Sequence, residues 1–123
     1  MSRAQQFADA LQRLERDRDL DAFLTRFSDD VRLMRPETGG HEQGGPGARQ
    51  FWQAYLDQFD DIASTFIRLV DADSVGELEW TSTGQLRTGR DITYTGVSLL
   101  EHDGDGKVQR FVSYYDTAAF THS

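Results

Sequence analysis

The sequence predicts an α+β fold, with helices gathered near the N-terminus and packed on one face of a curved, mostly antiparallel sheet. Three observations carry this. Apolar residues recur at helical spacing up to Phe59, the period then changes to two, and clusters of Asp, Gly and Ser separate the period-two stretches. A chain of 123 residues is long enough for one core and too short for two, so it reads as one domain over 1–123.

Each element has its own signal. Phe7, Leu11 and Leu14 fall at i, i+4 and i+7, one apolar stripe on a first helix. Asp19 can cap a second short helix whose buried face is Leu20, Phe23, Leu24 and Phe27, and Ser28-Asp29-Asp30 ends it. Val31 to Arg35 reads as a short strand stopped by Pro36. The stretch from Arg35 to Trp52, RPETGGHEQGGPGARQFW, reads as a flexible connection in which Pro46 opens a third helix, because its missing N–H costs nothing there. Phe51, Trp52, Tyr55, Leu56 and Phe59 give that helix its apolar face, and Asp60-Asp61 closes it. Ile62 to Val70, Gly76 to Thr83, Arg90 to His102 and Lys107 to Asp116 are expected as strands of an antiparallel meander, joined by turns at 71–74, 84–89 and 103–106.

Composition narrows the function. The chain is 37% hydrophobic and 11% aromatic, which favours a folded domain over disorder. Its net charge of −8, with Lys107 as the one lysine, argues against nucleic acid and against anionic membrane surfaces as partners. No apolar run approaches the ~20 residues of a membrane span, and the start MSRAQQFADALQRL has no apolar signal core. The absence of cysteine excludes disulfides and thiolate chemistry and fits a cytoplasmic protein.

No phosphate-loop, metal or serine-triad motif meets its required spacing. In the glycine segment, Gly40 and Gly45 have the spacing of the outer glycines of a phosphate loop, but Pro46 and Gly47 stand where Lys and Ser/Thr are needed. His41-Glu42 begins like a zinc-protease helix, yet the second histidine would fall at Gly45. The Asp-rich turns at Asp71 and Asp103 lack the distal glutamate of a calcium loop, with Ser82 and Tyr114 at those positions. No nucleophile elbow for a serine triad occurs. No metal or cofactor is therefore expected. What remains is polar residues on strands that also carry core residues. Leu78, Trp80 and Ser82 alternate with Glu77, Glu79, Thr81 and Thr83; Phe111, Ser113 and Tyr115 alternate with Arg110, Val112, Tyr114 and Asp116. Two partly apolar faces suit helices and a ligand pocket on one side and a second subunit on the other.

The order of these elements resembles the nuclear transport factor two-like superfamily, which includes ketosteroid isomerases, limonene-epoxide hydrolases and SnoaL-like polyketide cyclases. The resemblance is carried by DLDAFLTRFSDDV (Asp19 to Val31), GGPGARQFWQAYL (Gly44 to Leu56), TGRDITYTGVSLLEHDGDGKV (Thr88 to Val108) and FVSYYD (Phe111 to Asp116). It implies a cystatin-like α+β cone: the curved sheet wraps against the helices around a deep apolar pocket, and the outer sheet face makes a homodimer.

The resemblance also permits a check of catalytic sets. The isomerase base position falls on Arg35, its tyrosine position on Leu11 and its aspartic acid position on Ser98. An arginine cannot serve as a base at neutral pH, so steroid isomerisation of the usual kind is not expected. The epoxide-hydrolase arginine falls on Glu79 and its two acids on Thr81 and Ser113, so that set is absent too. The cyclases use one strand acid, for which Asp116 is the candidate, although alternation points it away from Ser113 and Tyr115.

The same comparison implies that Arg35, Glu79, Thr81, Ser98, Ser113 and Tyr115 face inward. Arg35 and Glu79 then either pair with each other or act on a ligand, Arg35 as the polarising cation and Glu79 as acid or base. His41 and Asp116 are the other acid–base candidates. Leu11, Tyr55, Thr81, Ser98, Phe111, Ser113 and Tyr115 are the expected substrate-binding residues. The expected activity is cofactor-free isomerisation, cyclisation, dehydration or hydrolysis of an apolar oxygenated small molecule. The alternative is a non-catalytic ligand-binding or dimerisation module of the same fold.

Overall fold

A computed structural model describes residues 2–121. Helix α1 (Arg3–Asp17) is capped by the Ser2 hydroxyl, which accepts from the Gln5 N–H at 3.1 Å. Helix α2 (Leu20–Leu24) starts at Asp19, whose carboxylate accepts from the Ala22 N–H. The remaining elements are β1 (Phe27–Arg35), a 3₁₀ turn (Pro36–Thr38), β2 (Gly40–Gln43), α3 (Gly44–Asp57), β3 (Phe59–Ala72), β4 (Val75–Leu86), β5 (Asp91–His102), β6 (Val108–Tyr115) and the one-turn α4 (Ala118–Thr121). The six strands form one mixed sheet in the order β2-β1-β6-β5-β4-β3. β3 to β6 are the expected antiparallel meander, β1 runs parallel to β6, and β2 folds back antiparallel on β1.

Several boundaries differ from expectation for identifiable reasons. Phe27, assigned to the second helix by its spacing, opens β1 instead, pairing with Val108; a phenylalanine is as suited to a buried strand position as to a helix face. The glycine segment is not a loose connection. Gly39 turns the chain with φ +76°, and Gly40–Gln43 then pairs with Arg32–Arg35. Pro46 is the third residue of α3 rather than its first, still inside the turn whose N–H groups have no intrahelical partner. β3 begins at Phe59, three residues before the expected start, and Asp60-Asp61 lies within it. α4 had no signal in the sequence.

One core runs between the sheet and α1 to α3. Its closed end is aromatic: Trp52 packs on Phe23 at 4.9 Å and on Phe111 at 5.0 Å between ring centres, and Phe7 stacks on Phe111 at 5.7 Å. A second aromatic group, Phe59, Tyr94, Tyr115 and Phe120, gathers at the other end, with Tyr94 and Phe120 4.8 Å apart. Gly96 sits opposite Trp80 in the β4–β5 register, and a Cβ there would fall 2.5 Å from the indole and from the Tyr114 carbonyl. The bare backbone at 96 is what lets the Trp80 ring lie flat across the inner face.

Candidate functional site

The registers settle which side chains face the helices. Ser64, Ser82 and Tyr94 align across β3, β4 and β5, and Leu78, Ser98 and Ser113 align across β4, β5 and β6. All six are buried, so this is the concave face. Gly96 aligns with Tyr115, which places Tyr115 on the same face.

Three arrangements occupy that interior. The first centres on Glu15, a residue of α1 that is 6% exposed. Its Oε1 accepts from the Ser64 N–H at 2.8 Å, and its Oε2 accepts from the Tyr55 hydroxyl and the Ser64 hydroxyl, both at 2.6 Å. The Ser82 hydroxyl bonds Ser64 Oγ in turn at 2.6 Å. Burial raises the Glu15 pKa above the ordinary carboxylate range, against the lowering pull of its bonds to Ser64 and Tyr55. Burial and the neighbouring Glu15 charge push the Tyr55 hydroxyl well up. A groove of about 450 Å³ between α1 and β3, lined by Glu15, Gln12, Ile62 and Ser64, lies beside this carboxyl.

The second is a polar thread through the sheet face: Trp80 Nε1–H donates to Ser98 Oγ at 3.0 Å, and Ser98 and Ser113 share a 2.9 Å bond.

The third is Arg35. Its guanidinium carbon lies 3.5 Å over the centre of the Phe51 ring, and one nitrogen donates to the Phe51 carbonyl at 3.2 Å. Burial lowers its pKa, and the nearby Tyr115, Tyr94, Tyr55 and Glu42 act in the opposite sense. No carboxylate lies within ion-pair distance of it among the described residues. The one fully occluded polar side-chain atom without a partner there is Trp52 Nε1. The remaining Arg35 N–H groups are therefore not sealed in protein. Tyr115, Tyr94 and Tyr55 are the tyrosines close enough to act on the guanidinium. Tyr94 links the arrangements electrostatically, since both Glu15 and Arg35 act on its hydroxyl, and burial raises its pKa.

Against the sequence-based expectations the picture is mixed. Arg35, Tyr55, Ser98, Phe111, Ser113 and Tyr115 all lie on the concave side. Leu11 packs against the core from α1. Phe111 is enclosed by Phe7, Phe51 and Trp52. Glu79 is a correction: it and Thr81 lie on the convex face, and Glu79 approaches Arg68 of β3 at 4.0 Å rather than Arg35. The strand alternation that put Leu78, Trp80 and Ser82 together was the right guide, and the alignment that turned Glu79 inward was not. His41 is corrected in the same way. It pairs with Met34 and is exposed, whereas its neighbour Glu42 pairs with Leu33 and points to the Arg35 side. Asp116 is exposed, and its carboxylate accepts from the Ala118 N–H at 3.1 Å, opening α4. Through that helix, whose last carbonyls accept from Arg90, Asp116 helps hold Phe120 over Tyr94.

Sequence reasoning missed Glu15, Ser64 and Ser82. A signal existed for Glu15: it directly follows Leu14 on the apolar edge of α1, a place where a carboxylate is buried only with partners.

Comparison with known proteins agrees with this architecture. The SnoaL-like domain matches residues 4–111 of the chain. Among solved structures, an NTF2-like protein of unknown function from Burkholderia pseudomallei K96243 superposes with a TM-score of 0.83 at 20% identity, covering 98% of this chain and 95% of that one. TerC co-crystallised with polyporic acid gives 0.82 at 22% identity, with 98% and 96% covered. A Mycobacterium tuberculosis protein, RV0760c, in complex with estradiol-17beta-hemisuccinate gives 0.80 at 14% identity, with 97% and 98% covered. At such identities the likeness is one of fold. No curated protein sequence matches the chain.

Proposed function

The chain belongs to the SnoaL-like domain family, and from that premise we propose that it binds an apolar, oxygenated small molecule in the cone and performs cofactor-free acid–base chemistry on it. The observation that carries the reading is Arg35. A cation over an aromatic ring, with one backbone bond and no carboxylate partner, has donors to spend on a ligand oxygen. The aromatic surroundings fit a flat or alicyclic body, and the fold holds polyporic acid and a steroid hemisuccinate in other chains.

In this reading Arg35 polarises a carbonyl or holds an acidic oxygen of the ligand. Glu15, with its pKa raised by burial, is the proton-transfer group, and Tyr55 is its hydrogen-bonded partner toward the pocket. A carbon-bound proton beside the carbonyl passes to the carboxylate and returns at another atom, so no oxidant or reductant is needed. Isomerisation and ring closure by aldol-type addition both fall in this class. Glu79, His41 and Asp116 have no part in it, because Glu79 lies on the convex face and His41 and Asp116 are exposed.

The test uses matched probes, estradiol and its 17-hemisuccinate, followed by thermal shift. The hemisuccinate should stabilise the protein more than estradiol, and Arg35→Met should erase the difference. Equal stabilisation by both probes, or a variant that keeps the preference, would remove Arg35 as the anchor. A convex face carrying Thr81, Val97, Leu99 and Tyr114 supports a second reading at the level of assembly, a homodimer formed through this side of the sheet.

A further inference from the structure

Away from the cone, a cavity of about 320 Å³ opens where the start of α1, the end of α2 and the β5–β6 turn meet. Arg3, Arg26 and Lys107 line it, together with His102, Asp105 and the edge of Phe7. Three cations face one carboxylate here, in a chain whose net charge is −8. Neither arginine forms a side-chain hydrogen bond or an ion pair among the described residues, although acids outnumber bases 21 to 13. Asp105 is the one carboxylate lining the cavity and Asp9 acts on Arg26 from outside it, so the three cations leave an excess of positive charge here that a bound anion would relieve.

The cluster is held in place by its surroundings. Lys107 Nζ donates to the Thr25 carbonyl at 2.6 Å, which ties the β5–β6 turn to the end of α2. Asp103 spends its carboxylate on the Asp105 and Lys107 N–H groups, at 2.9 and 3.0 Å, and so shapes the turn. His102 is buried beside the cavity.

We propose that this cavity is a second binding site, separate from the cone, for a phosphate group carried by a small ligand, with Arg3, Arg26 and Lys107 as its donors. Two forked guanidinium groups and an ammonium match the several acceptor oxygens of a tetrahedral dianion better than the two of a carboxylate. The volume admits a phosphate group.

The experiment titrates inorganic phosphate into the protein at constant ionic strength, followed by amide and His102 ring NMR shifts. Saturable shifts at Gly104 to Lys107 and at His102 are expected, absent with chloride and weaker with malonate. Arg26→Gln should weaken binding about tenfold, and the exposed Lys107→Gln, which leaves the core untouched, should weaken it measurably. Arg35→Met should leave phosphate binding unchanged, which separates this site from the cone. Linear, non-saturating shifts, tighter binding of malonate, or variants that bind like the wild type would each overturn the proposal.

Discussion

Glu15 shows how one residue can carry the chemistry of an interior. Its two oxygens take three hydrogen bonds, from Tyr55 and from both donors of Ser64, yet burial still holds its pKa above the usual range. The folded state therefore keeps this proton at a pH where the unfolded chain has released it. That stability is fully present below the ordinary value of 4.5 and is lost as pH rises through the higher folded pKa. Glu15→Gln removes the titration. The unfolding free energy of the wild type relative to the variant should fall across that window in urea denaturation at stepped pH; a flat difference would mean the carboxyl titrates normally. Arg35 is the opposite case, a residue whose importance was legible in the sequence because of where it stands, although its partner Phe51 was not.

At the scale of elements, β4 and β5 depend on one missing side chain. Trp80 crosses Gly96, donates to Ser98, and so leads into the bond that joins Ser98 to Ser113 on β6. Gly96→Ala should cost about 2 kcal/mol by overpacking, read by urea denaturation. Adding Trp80→Phe should return part of the loss, since a smaller ring leaves room for the methyl. A double variant as unstable as the sum of the singles would show that the clash is with the Tyr114 backbone instead. β2 teaches a related lesson. A four-residue strand in a glycine-rich stretch is enough to turn Glu42 inward and His41 outward, because alternation reverses the face at each residue. Composition marked this stretch as a connection; pairing with β1 made it part of the sheet.

At the scale of the whole molecule, the convex face is where a second copy of the chain would dock. Tyr114 is 42% exposed there, and Ile67, unpaired at a bulge in β3, is 61% exposed. A dimer through this side would cover Val97, Leu99 and Tyr114. Light scattering after size exclusion should give twice the chain mass, and Tyr114→Glu should shift it toward the monomer. A monomeric wild type would end this reading without touching the cone. No helix among the described residues is long and apolar enough to cross a membrane.

Much of the architecture was open to sequence reasoning, because periodicity is a local property. The spacing of Phe7, Leu11 and Leu14, the change of period after α3, and the Asp-Gly turns report the nearest neighbours along the chain, and so the helices and the meander could be read from them. The same is true of Arg35, which stands at the end of a recognisable strand. What tertiary structure decided was which distant groups meet. Glu15, Tyr55 and Ser64 come from α1, α3 and β3, and no local pattern encodes their convergence. The parallel pairing of β1 with β6 and the inward turn of Glu42 rather than His41 are likewise long-range facts. Local order follows from short-range sterics and burial pattern; a site follows from the global packing that brings buried polar groups together and requires each to find a partner.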